Sequence, residues 1–115
     1  MSEAAITLEE DVWDLYRSPM IGATYNNTFG EANIKNLVEK FRGLDEEKMR
    51  VMRGLLISYS KSPDLATSFV SVGVLHALGM SREVEKAYHW AQGLEDKERF
   101  IHHFDISKSL AEYFT

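Results

Sequence analysis

Apolar residues recur along most of this chain at spacings of three and four, the mark of amphipathic helices. One stretch departs from that pattern. In residues 63–78, PDLATSFVSVGVLHAL, the strongly polar side is Asp64, Thr67, Ser68 and Ser71, all in the first half. The second half is apolar nearly all round, and a helix of that kind lies inside a domain. Ser62 is a good N-cap, Pro63 fits the first helical position, and Gly79 fits the left-handed residue just past the end. Ala66, Gly73 and Ala77 share one line along this helix, where a neighbouring helix can approach closely.

The flanking stretches read as amphipathic helices. Thr7-Leu8-Glu9-Glu10 is a capping box for a helix to about Arg17, with Leu8, Val12, Leu15 and Tyr16 inward. A second box, Thr28 to Glu31, precedes the stripe Ile34, Leu37, Val38 and Phe41, which Gly43 ends. Asp45 caps a third helix that turns Met49, Met52, Leu55, Leu56 and Tyr59 inward. After the central helix, Gly79-Met80-Ser81 is a tight turn, with Met80 set against Leu75 as in a Schellman motif. Ser81 then caps a helix to about Gln92, carrying Val84, Ala87, Tyr88 and Ala91 inward. Asp96 caps one that buries Phe100, Ile101 and Phe104. Asp105 or Ser107 starts a short last helix with Leu110, Tyr113 and Phe114 inward.

Residues 18–29 lack helical periodicity. They mix turn residues (Pro19, Gly22, Asn26, Asn27) with apolar Met20, Ile21, Tyr25 and Phe29, as expected of a loop that folds back onto the core. The whole pattern predicts one all-α domain over 1–115, an irregular antiparallel bundle of five to six helices around the buried helix at 63–78. The alternative is a short stack of helical hairpins. Caps spaced by about 34 residues match the period of tetratricopeptide-type hairpins, but the small and aromatic positions of one pair are not repeated in the other.

Composition narrows the chemistry. The absence of cysteine removes disulfides, thiolate catalysis and cysteine-bound metal. No apolar run approaches the roughly 20 residues of a membrane span, and the acidic start lacks a signal peptide's basic and apolar regions. Cytoplasmic location is the expectation. The net charge of −5 is concentrated at the start, where residues 1–16 hold Glu3, Glu9, Glu10, Asp11 and Asp14 and no base. No large basic excess offers itself to a nucleic acid.

Few residues invite a chemical role. His76 lies on the apolar face of the central helix, where a neutral imidazole bonded to one carbonyl is the ordinary case and a ligand contact the sharper one. With Tyr25 and Phe29 it could line a pocket under the 18–29 loop, as in a small-ligand sensor. His102-His103 points two ways from a helix, and the chain has no His-x-x-x-His or Glu-x-x-His, so no metal or cofactor is expected. Nucleotide-binding and nucleophile-elbow motifs are absent. Leu78 to Arg82 is similar to the turn of a helix-turn-helix, which would use residues 65–92. Glu83 and Glu85 would then face phosphates, so nucleic acid is disfavoured.

The remaining lead is surface. Glu10, Asp11 and Asp14 flank Trp13 on the first helix; Arg50, Arg53 and Lys61 surround an outward Ile57 on the third; Trp90 lies on the flank of its own helix. Flank tryptophans and outward isoleucines are what interface centres favour. The expected function is a non-enzymatic adaptor or regulatory domain that binds another protein or a second copy of itself.

Overall fold

In the computed structural model, which describes residues 3–17 and 30–114, the central apolar run becomes a helix walled in by four others. The order is α1 (Glu3–Arg17), α2 (Glu31–Arg42), α3 (Glu46–Tyr59), α4 (Leu65–Ala77), α5 (Ser81–Ala91) and α6 (Lys97–Ala111), then a 3₁₀ turn (Glu112–Phe114). No strand occurs among the described residues. Helix α4 packs on α2, α3, α5 and most extensively α6, while α1 lies against α2 and α3. This is the irregular bundle that the pattern predicts. Because α2 also meets α6, it is not a stack in which each hairpin touches only the next.

Every residue from Thr67 to Leu75 is buried, including Thr67, Ser68 and Ser71 of the supposed polar side; only Asp64 of that side is exposed. The hydroxyls stay satisfied locally. Thr67 Oγ1 donates to Asp64 Oδ2 (2.6 Å), Ser68 Oγ to the Leu65 carbonyl (3.2 Å) and Ser71 Oγ to the Thr67 carbonyl (2.8 Å). Burial therefore leaves no donor stranded, and among the described residues no buried side-chain polar atom lacks a partner. Of the line of small residues, Gly73 is where the helices close up. A Cβ there would stand 2.5 Å from Ser107 Oγ on α6 and 2.6 Å from Ile34 Cδ1 on α2.

Several local expectations hold in detail. Asp45 caps α3 by accepting from the Lys48 N–H (2.9 Å). Gly79 has φ 76°, its N–H donates to the His76 carbonyl (3.0 Å), and Met80 N–H donates to that of Leu75 (2.9 Å), which is the Schellman arrangement. Ile34, Leu37, Val38 and Phe41 are all buried.

Others are corrected. Helix α1 begins at Glu3, a turn before Thr7. Helix α4 begins at Leu65, because Asp64 rather than Ser62 caps it; the Ser62 hydroxyl instead accepts from the Asp64 N–H (3.1 Å). Helix α5 begins at Ser81 itself, with Met80 in the N-cap position and no side-chain cap. Gly30 stands at the N-cap of α2 with φ 87°; Thr28 lies outside the described residues. Asp96 occupies the N-cap of α6 without a side-chain bond. Helix α6 runs straight through Asp105 and Ser107, whose side chains bond laterally rather than cap. Asp105 Oδ1 accepts from the Tyr88 hydroxyl (2.6 Å), and the Ser107 hydroxyl donates to the Phe69 carbonyl. Tyr113, expected inward, is 81% exposed on the 3₁₀ turn.

Tyr16 and Tyr88 give the fold an alkaline limit. Burial pushes both phenols above their usual value of about 10; for Tyr88 the hydrogen bond to Asp105 and that carboxylate's charge add to it. The unfolded chain thus ionises first. Their contribution is complete below about pH 10 and declines as pH climbs past it, by up to about 1.4 kcal/mol per pH unit for a fully coupled group. Urea midpoints are expected to hold steady to about pH 9 and fall above pH 10, with a shallower fall for Tyr16→Phe.

Candidate functional site

On α1, Ile6, Glu9, Glu10 and Trp13 stand at i, i+3, i+4 and i+7 and so share one face. Together with Tyr59, at the end of α3, they line a groove of about 480 Å³. Its base is aromatic. The Trp13 and Tyr16 rings stack at 5.8 Å, Trp13 meets Tyr59 at 5.4 Å, and Tyr16 meets Tyr59 edge-on at 5.2 Å. Tyr16 is tied down to the central helix. The Ser71 proton is committed to the Thr67 carbonyl, so the Tyr16 hydroxyl donates to Ser71 Oγ. Asn33, buried on α2, fixes the end of α1 by donating to the Leu15 carbonyl (2.7 Å). Trp13 thus rests half-buried on a braced platform, with Ile6 46% exposed beside it.

The acids of α1 are not equivalent. Asp11 lies 3.7 Å from Lys40 on α2, and Asp14 lies 3.6 Å from Arg17. Glu9 and Glu10 are exposed on the groove, and no base among the described residues stands within ion-pair distance of either. Burial, and next the charge of Glu9, raise the Tyr59 phenol pKa, so Glu9 acts electrostatically on the groove.

The row expected on α3 is broken up. Arg50 is exposed, and Arg53 sets its guanidinium over the Phe41 ring at 5.9 Å. Ile57 is not outward: it is half-buried against the core, because α3 is clasped by α1, α2 and α4 and needs a wider apolar face than one stripe. Lys61 and Trp90, distant in sequence, instead join Arg82, Lys86 and His89 around a groove of about 630 Å³ that also holds Glu85. Trp90 meets Phe100 edge-on at 5.9 Å.

His76 is not at the centre of a buried face. Its imidazole is 26% exposed at the end of α4, with Nε2 3.6 Å from Glu112 Oε1. Tyr25 and Phe29, and the pocket expected beneath the 18–29 loop, lie outside the described residues. Helix α4 keeps hardly any free surface for a phosphate backbone, and α5 presents Glu85 beside Arg82 and Lys86. Among the described residues no His, Asp and Glu side chains converge as a metal site, and no helix is long and apolar enough to cross a membrane.

Sequence reasoning missed Ile6, Glu9 and Tyr59. The seven-residue spacing of Ile6 and Trp13 around two glutamates was the available signal; Tyr59 reads only as core until α1 is seen to cover it. The fold and this site define an all-α bundle with an acid-rimmed aromatic groove on one side. No family model, curated protein or solved structure matches the chain.

Proposed function

We propose that the chain is a non-enzymatic protein-interaction domain, adaptor or regulatory in role, whose α1–α3 groove takes a basic amphipathic segment of a partner. Trp13 carries this reading: it is half-exposed on a braced aromatic base, beside Ile6 and two glutamates without a basic partner among the described residues. Tryptophans of that kind are favoured anchors at interface centres. Their ring faces attract Lys and Arg, and rim carboxylates steer a basic segment in. A helix-turn-helix role has less support, since α4 is enclosed and the charge excess is negative.

The test is titration with a synthetic lysine- and leucine-rich helical peptide, read by tryptophan fluorescence in a Trp90→Phe background. Affinity is expected to fall at least ~10-fold in the Glu9→Lys/Glu10→Lys double variant and to weaken with salt. In Trp13→Ala, followed by calorimetry, the loss is expected to reach ~30-fold, the scale of an interface hot spot. Unchanged affinity in both variants would remove the reading.

A second copy of the chain is the other candidate partner, because the groove of Lys61, Arg82, Lys86 and Trp90 offers complementary charge. Such a contact joins unlike surfaces, so it would build rings or open chains. Sedimentation velocity at low salt decides between the two. Association lost in both Glu10→Lys and Arg82→Glu identifies the second copy, and a monomer at every concentration leaves a different protein as the partner.

A further inference from the structure

On the opposite flank of α4, its first turn and the middle of α6 enclose a pocket of about 550 Å³, independent of the α1–α3 groove. That volume is within the range of small-molecule sites, roughly 300–1,000 Å³. Leu65, Ala66, Phe69 and Ile106 form its apolar wall. Two nitrogen groups converge on it from α6, Arg99 and His103, one turn apart on one face. The His103 ring is held in place: Nδ1 donates to the Arg99 carbonyl (2.8 Å), and the ring meets Phe69 edge-on at 6.2 Å. In the neutral ring Nε2 is then an acceptor, open to a donor. No carboxylate among the described residues comes within ion-pair distance of the Arg99 guanidinium.

We propose that this pocket binds an amphipathic monocarboxylate, with its carboxylate on Arg99 and its apolar body along Leu65, Ala66, Phe69 and Ile106. The guanidinium fork suits a carboxylate or a phosphate equally. Asp64 decides between them. It stands on the facing lip, where its Oδ2 already accepts from the Thr67 N–H (3.1 Å) and hydroxyl. Its charge offsets much of the attraction of Arg99 for any anion. The cost of desolvating a headgroup rises with the square of its charge while the attraction rises only in proportion, so the singly charged headgroup is the one that fits.

Octanoate is the probe, followed by calorimetry and by thermal shift, since a ligand of the folded state raises the melting temperature. Wild type is expected to bind it saturably and to bind octanol at least ~10-fold more weakly, charged hydrogen bonds being the stronger kind. Arg99→Gln should lose at least ~10-fold. Asp64→Asn, which keeps a capping side chain, should bind tighter. A purely structural role for either residue would not give these opposite signs. Ala66→Trp, with its fold checked by circular dichroism, should abolish binding by filling the pocket. No saturable binding, equal binding of octanol, or an Arg99→Gln affinity equal to wild type would each overturn the proposal; so would a weaker affinity in Asp64→Asn.

Discussion

Phe104→Ala is expected to lower the unfolding free energy by about 3–5 kcal/mol. Phe104 has no exposed surface and is the largest of the fully buried side chains among the described residues. Its ring meets Tyr88 edge-on at 5.4 Å and Phe100 at 6.1 Å. Those neighbours cannot easily close the gap, because Tyr88 is held by Asp105 and Phe100 by Trp90. The cost is therefore the transfer term plus most of the cavity term. At about 4 °C per kcal/mol for a domain of this size, the melting temperature should drop by roughly 12–20 °C. Circular dichroism melts measure it directly. A drop of only a few degrees would mean that α6 is not seated on this core.

Two glycines in helix interiors should respond to the same substitution with opposite signs. Gly54, exposed on α3, has nothing within 4 Å of a would-be Cβ. Gly54→Ala should stabilise by about 1 kcal/mol, the helix-propensity difference. Gly73 gains the same propensity term, but its Cβ would sit 2.5 Å from Ser107 Oγ and 2.6 Å from Ile34 Cδ1. Overpacking costs typically ~1–3 kcal/mol, so Gly73→Ala should be destabilising on balance and Gly73→Val should lose about 3 kcal/mol. Ile34→Val removes the Cδ1 methyl and is expected to recover part of that loss in the double variant, a coupling of about 0.5–3 kcal/mol. Denaturant midpoints of the four proteins test the idea. Additive effects at positions 34 and 73 would show that α2 and α4 do not meet there.

The Gly73 prediction concerns the packing around α4, and that is the part of the fold most readable beforehand. A run apolar on nearly every side has no stable place except among other helices, so the burial of Val72 to Leu75 and of Ala77 followed from the residues alone. That of Thr67, Ser68 and Ser71, read as a polar side, did not. Short-range chemistry was equally legible at Asp45 and at Gly79-Met80, where cap and carbonyl are a few residues apart. Reading failed where a side chain had a choice. Asp105 and Ser107 look like caps in isolation, yet Tyr88 lies 17 residues from one and the Phe69 carbonyl 38 from the other, and those partners kept α6 continuous.

Sequence by itself determined that the chain is helical, which helix lies innermost, and which end carries the excess acid, because periodicity, capping and charge are local properties. Tertiary packing alone decided which surfaces remain free. It set Tyr59 under Trp13, took Asp11 away to Lys40, drew Ile57 in against the core, and moved Lys61 to the side of Trp90. A groove is made by two helices crossing, and the spacing of residues along either one carries no record of the other.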